Sequence, residues 1–556
     1  MKGWLVLLAI AALNLSLRSA QDPIPGGRPI PLDPGGEIQK SEGRLLLIPL
    51  DDRPASTQFA QMIAQIDQVE VALPPTQLLG SFTKQGDPEG ILEWLQQEDL
   101  NRFTAVIVST DMLCYGGLIA SRTSDSDYAL AILRLRSLQK LRRRYPHVKF
   151  YAFSAIMRLA PTATRASAAW RIQLARYAET KERYRRTPTP QLLASLRNLQ
   201  AKIPPLEIQR YEDTRARNHK VQQELVRMVS ANVFDYLILG QDDAQPFGPH
   251  VPESDRLKQM VSNLKVRTKV YFCEGIDQHA NVLVSRALLT EANWVPRVRI
   301  VYADDLGKRK IANYESNPVE ESLMDQLVAS GARYAGPEDP FDYSLYINTP
   351  EPRPEQFQQF LQNLKTEIDQ SFPVAVADIN LGKTGTGDPV LFDALAEGGR
   401  STRLLSYAGW NTAGNTMGTA IPAANIYLLA RRLQSNPFER EMAQRAFLLH
   451  RLVDDFAYHR FTRPQAYAMI DANPRASREE TYGDDMDQLN AFVNEDLTRR
   501  LEDTFKEQFL GKRFFAGTKQ YVFTAVDHAT ARLPWPRAYE VRLDFRLEAQ
   551  EVDSSK

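Results

Sequence analysis

The stretch Gly240-Gln241-Asp242-Asp243-Ala244-Gln245-Pro246-Phe247-Gly248 places two adjacent carboxylates after an apolar run, with a Pro-Phe-Gly turn closing the loop. Neighbouring side chains point in different directions, so one acid can transfer a proton while the other orients a substrate group or tunes its partner's pKa. The competing reading is a helix N-cap, a position Asp commonly fills after a strand. One such site alone would favour the cap. Six apolar runs in this chain end this way: 45–50 before Asp51, Asp52 and Arg53; 105–109 before Asp111; 236–239 before Gln241, Asp242 and Asp243; 270–272 before Asp277; 299–302 before Asp304 and Asp305; 374–377 before Asp378 and Asn380. In a parallel α/β sheet all strands end on one face, so these acids are expected to converge, which points to catalysis.

A second cluster, Ser406-Tyr407-Ala408-Gly409-Trp410-Asn411-Thr412-Ala413-Gly414-Asn415-Thr416, joins an aromatic ring to two carboxamides. Trp410 could stack on a sugar face while Asn411 and Asn415 exchange hydrogen bonds with hydroxyls. Equally, Asn and Gly could serve only to form a tight turn. Asp51-Asp52-Arg53-Pro54 reads as a contact to a hydroxyl-rich ligand or as an internal Arg–Asp brace. Asp111, followed by the pair Gly116-Gly117, reads either as a ligand contact or as a chain exit from a strand. The loop Gly382-Lys383-Thr384-Gly385-Thr386-Gly387 fails the phosphate-loop spacing and reads as surface.

The elements that must position these residues follow from the alternation of strand-like and helix-like segments. Further strands are expected at 69–73, 149–153, 343–347 and 404–407. Together they suggest an α/β core over 44–430, a TIM-like (β/α) barrel or close variant, with an open sheet as the alternative. Residues 161–231, rich in Ala, Arg, Gln and Leu, read as a helical insertion whose arginines form a solvated face. Residues 431–556 read as a C-terminal, mainly helical cap with a final extended piece over 539–545. Residues 1–20 have the form of a cleaved export signal, and 21–43, rich in Pro and Gly, of a flexible leader. A periplasmic or extracellular protein is expected, with no stable membrane anchor after cleavage.

Composition narrows the classes. The 68 basic and 68 acidic residues balance, which argues against a nucleic-acid partner and for a small polar one. Cys114 and Cys273 are too few for a disulfide scaffold or a Cys-based zinc site, though they could pair with each other. His250 and His279 form no paired-His motif, so no metal or cofactor is assigned, and an oxygen-rich calcium or magnesium site stays open. No G-x-S-x-G elbow occurs.

The segments LLLIPLDDRP (45–54), TDMLCYGGLIASR (110–122), LGQDDAQPFG (239–248) and GWNTAGNTMG (409–418) resemble the motifs of an uncharacterised bacterial family filed as a domain of unknown function. The resemblance covers most of the chain after the leader, in matching motif order, and implies no established reaction. Asp277-Gln278 departs from the Asp-Glu pair expected after the sixth strand. The chain also resembles, more faintly, barrel glycosidases acting on N-acetylhexosaminides, in which the substrate acetamido group is the nucleophile. That likeness implies Asp242 and Asp243 as the catalytic pair and Trp410, Asn411 and Asn415 as sugar contacts. The expected function is hydrolysis of glycosidic bonds in a small carbohydrate or glycan. The alternatives are a metal-assisted hydrolase using the same acids and a non-catalytic carbohydrate-binding protein.

Overall fold

The computed structural model describes residues 43–552 apart from 124, 383 and 384. The expected export signal and the leader up to residue 42 lie outside the described residues, as do Lys383 and Thr384 of the glycine-rich loop. No helix among the described residues is long and apolar enough to cross a membrane.

The protein is a mixed α/β structure built on parallel sheets. β1 (Arg44–Ile48), β2 (Val71–Ala72), β3 (Phe103–Ser109), β4 (Lys149–Ile156), β5 (Tyr236–Gln241) and β6 (Val270–Glu274) pair in the order β2-β1-β3-β4-β5-β6. β7 (Arg297–Tyr302), β8 (Arg333–Tyr334), β9 (Tyr343–Asn348), β10 (Val374–Asp378) and β11 (Ser406–Ala408) form a second parallel sheet, β11-β10-β9-β7-β8. Alternate residues of each strand enter different cores. Leu45, Leu47 and Ile107 face the centre of the molecule, whereas Leu46, Ile48 and Val106 face an outer core. In the second sheet Leu345 and Ala375 face the same centre, and Tyr346 and Val376 face away. Burial on both faces explains why these strands read as unbroken apolar runs.

The expected barrel is replaced by these two open sheets, and the described strands form no closed ring. The cause is a helical layer between them. The helix His279–Glu291 packs on β3 and β4, the helix Ala413–Arg432 packs on β10 and β11, and the two helices pack on each other. Every residue from Ala413 to Ala430 is buried, so this helix has no solvent face and belongs to the interior. A helix is about 10 Å across, twice the roughly 4.8 Å at which strands pair. The sheets therefore cannot hydrogen-bond to each other across it.

Three helices, Arg171–Arg186, Pro190–Gln200 and Pro205–Ser230, lie between β4 and β5. Beyond the central helix come the helices Pro437–Arg451, Arg463–Ala472 and Asp484–Gln508, with a π-helical stretch Leu452–Thr462 joining the first two. An antiparallel sheet of β12 (Arg513–Ala516), β13 (Lys519–Arg532) and β14 (Arg542–Glu551) follows. Cys114 and Cys273 are both buried and free. Cys114 packs in the outer core and Cys273 in the central one, so the first sheet separates them and the suggested pairing does not form.

Ile421 is fully buried in the central helix. Ile421→Ala is expected to cost about 2–5 kcal/mol, read by chemical denaturation; a loss below about 1 kcal/mol would contradict this packing role.

Candidate functional site

In the first sheet the strand order reverses between β1 and β3, a crevice where doubly wound sheets bind ligands beyond their strand C-termini. The loop after β1 brings Asp51, Asp52 and Arg53 there. Arg53 donates to Asp51 at 3.0 and 2.7 Å and to Asp277, beyond β6, at 2.7 and 3.2 Å. Ser56 Oγ adds a bond to Asp51 at 2.9 Å. Burial disfavours the Arg53 charge, but Asp277 and Asp51 outweigh it and hold the guanidinium protonated. Its central carbon, Cζ, lies 4.6 Å from the ring centroid of Trp535, whose indole N–H donates to Asp52 at 2.7 Å. Burial raises the Asp52 carboxyl, against the hydrogen bonds from Trp535 and Ser81.

β5 delivers the aspartate pair. Asp242 N–H donates to the Ile156 carbonyl at 3.1 Å and Leu159 N–H to the Asp243 carbonyl at 3.2 Å, so the extension of β4 holds this loop. Gly240 is required here because a Cβ would meet the His279 ring and come within 2.7 Å of the Gly275 carbonyl. Asp242 pairs with Arg122, and its Oδ1 accepts the Asp243 N–H at 3.0 Å. Asp243 pairs with Arg158. The two environments act in opposite directions. For Asp242, burial opposes ionisation, but Arg122 and Arg158 prevail and hold its carboxyl below the ordinary range. For Asp243, burial and the neighbouring Asp242 and Asp277 charges outweigh Arg158 and raise it. The Asp243 side chain keeps 27% exposure, against 6% for Asp242. Asp111 is buried beneath them, accepts the Ala155 N–H at 2.8 Å, and is raised to about 7, chiefly by burial.

A cavity of about 740 Å³ has Tyr314, Asn380, Asn411, His459, Tyr467 and Tyr539 in its wall, and neither Asp242 nor Asp243 is part of its lining. Ala244 N–H donates to the Tyr314 carbonyl at 2.8 Å, which sets Asp243 next to that wall. Tyr539 donates to Asn411 at 2.6 Å, Asn411 to Asn415 at 2.6 Å, and Asn415 to Gln278 at 2.6 Å. This relay of amides links the loop after β11 to the loop after β6. Asn411 has a φ of 57°, so it is also the turn residue that the sequence allowed.

Several expected site residues lie elsewhere. Trp410 is buried, meets Phe59 edge-on at 5.5 Å, and donates its indole N–H to Thr419 at 3.2 Å. Its ring is a core element rather than a stacking platform. Asp378 accepts from Asn348 at 2.8 Å and from the Asp388 backbone, and burial raises it to about 7. Asn380 reaches the cavity wall while donating to Asp388 at 2.7 Å. Asp304 pairs with Arg353. The acids of the second sheet thus serve local networks, and convergence is confined to Asp51, Asp52, Asp111, Asp242, Asp243 and Asp277. Gln241 donates to the Asp242 carbonyl at 2.7 Å and braces the pair. His250 and His279 are buried, which lowers each to about 3. Among the described residues no group of three or more His, Cys, Asp or Glu could hold a metal ion.

Arg122, Arg158, Trp535 and Tyr539 escaped the sequence reading. Arg122 closes the motif at 110–122, the only local signal for any of the four.

Arg53→Met would leave Asp51 and Asp277 buried without their partner and is expected to cost about 3–5 kcal/mol by denaturant titration. Asp111 gives a pH signature. Its folded pKa exceeds its unfolded value, so its stabilising effect is full below about pH 4 and is lost as pH rises toward about 7. Asp111→Asn should therefore lose less Tm than the parent between about pH 5 and about pH 8; an equal or greater loss would contradict the burial argument.

A search of curated proteins finds no match to this chain. Residues 45–544 match the family described as Protein of unknown function (DUF4127), and the protein belongs to that family.

Proposed function

We propose that the protein is an exported hydrolase that cleaves glycosidic bonds, its substrate a glycan containing N-acetylhexosamine. One observation carries this reading: adjacent aspartates with opposed proton affinities sit on a loop that is hydrogen-bonded, through Ala244 N–H and the Tyr314 carbonyl, to the wall of a cavity lined by aromatic rings and carboxamides. Paired carboxyls driven apart in pKa are how a site keeps one acid protonated and the other ionised at the same pH.

The proposed chemistry assigns the proton to Asp243, the more exposed and raised carboxyl. Asp243 donates it to the glycosidic oxygen as the bond to the anomeric carbon breaks, and the substrate acetamide oxygen bonds to that carbon. Asp242 stays anionic beside Arg122 and orients the acetamide N–H. Each carboxylate oxygen has two acceptor positions, so pairing with Arg122 and the Asp243 N–H leaves capacity for that contact. Water then opens the cyclic intermediate, with Asp243 recovering its proton. Tyr314, Tyr467 and Tyr539 supply rings for sugar faces, and Asn380 and Asn411 supply amides for hydroxyls.

A panel of aryl glycosides, N-acetylhexosaminides included, tests the reading. Asp243→Asn and Asp242→Asn should each lower kcat by about 10²–10⁴-fold in folded protein. The parent rate should fall as pH rises through the elevated Asp243 pKa, and its acid limb should lie below the ordinary carboxylate range. Silence across the panel with saccharide binding retained would make the protein a carbohydrate-binding one. Turnover abolished by EDTA and restored by a divalent ion would replace the metal-free mechanism.

A further inference from the structure

We propose that a second cavity, at the free edge of the six-stranded sheet, binds a small organic ammonium ion, with an alkyl diamine the best fit. β6 is the edge strand, and beside its C-terminal end lies a cavity of about 350 Å³. Gln241 and Glu274 are register partners on β5 and β6, and both line it.

Each presents a buried acceptor that nothing in the protein satisfies. Glu274 is 2% exposed. One of its oxygens takes the Ser316 N–H at 3.1 Å, the Ser316 hydroxyl at 2.5 Å and the Asn317 amide at 2.6 Å. Its other oxygen, Oε2, is buried with no hydrogen-bond partner, and so is Gln241 Oε1. Folded proteins rarely leave such groups unmade, and two on neighbouring strands call for a ligand that brings donors.

Charge selects its class. Glu274, Asp255 and Asp325 line the cavity against Lys258, an excess of acids over bases; burial raises the Glu274 carboxyl and raises Asp325 to about 7, and a bound ammonium ion would favour their charged forms. Phe272 already carries a cation, with Lys258 Nζ 5.4 Å from its ring centroid, and its ring is part of the same wall. The described residues offer no three-ligand group for a metal ion, which favours an organic cation over an inorganic one. The excess of two acids over bases on this wall matches two ammonium groups. Because Gln241 also donates to the Asp242 carbonyl, an occupant here touches the side chain that braces the aspartate pair.

Calorimetric titration of the full chain with 1,4-diaminobutane tests this, with 1,4-butanediol as the uncharged twin. The diamine should bind at one site, the diol at least about tenfold more weakly, and Glu274→Gln should weaken the diamine at least about tenfold. Ser254→Trp, from a partly exposed position on the cavity wall, should block binding and decides the matter if Glu274→Gln fails to fold. Equal binding of diamine and diol, no diamine binding, or binding indifferent to a folded variant would overturn the proposal. Displacement of the diamine by calcium chloride at lower concentration would overturn the organic class. The readout is binding, so it stands or falls apart from glycoside turnover.

Discussion

A buried guanidinium cannot shed its proton, so the structure around Arg53 has to supply its counter-charges. Asp51 and Asp277 do so from two loops separated in the sheet by β3, β4 and β5, and Trp535 covers the exposed face of the plane. One side chain thereby fixes the exit of β1, the exit of β6 and a segment of the C-terminal region against each other. Arg122 and Arg158 repeat the device on Asp242 and Asp243. The floor of the crevice is a set of carboxyls held by arginines before any ligand arrives, the condition under which fixed dipoles and charges act without reorganising.

The helical layer gives that floor its setting. The helix Ala413–Arg432 keeps the two sheets apart, and its first turn carries Asn415 into the relay that runs from Tyr539 to Gln278. Gly414 packs against the Glu274 carbonyl, where a Cβ would come within 2.5 Å, so the helix start is pressed against the end of β6. The smaller cavity is therefore bounded by strand ends of the first sheet together with Ser316, Asn317 and Asp325, whereas the larger is bounded by segments that follow the strands of the second sheet and by the C-terminal region.

Strand positions were legible because burial on both faces leaves a run of apolar residues that needs no partner to be recognised. The partition of those strands into two sheets was not, since periodicity says nothing about which edge meets which. The central helix shows the same limit more sharply. Its first half carries Gly414, Asn415, Thr416 and Thr419 and reads as a loop, yet Thr416 and Thr419 bond to the Trp410 and Asn415 carbonyls, so the polar groups are consumed inside. In the site, the Arg53–Asp51 pair was readable from two residues of separation. Arg122 lies 120 residues from Asp242, and only tertiary packing chooses it. Trp410 looked like a sugar platform because aromatic and amide residues share a turn, but Thr419 and Phe59 claim the ring.

The contact between the Trp535 indole and Asp52 spans 483 residues of chain. Ribosomes build proteins from the amino end, so the aspartates and arginines of the crevice exist long before the indole and phenol that finish it. For most of its synthesis the polypeptide carries the acidic groups in an incomplete enclosure, open to water where Trp535 will later sit. Maturation of the cleft is thus tied to the arrival of a late segment, and a shortened product would be a chain with a different pocket rather than a smaller copy of the same one.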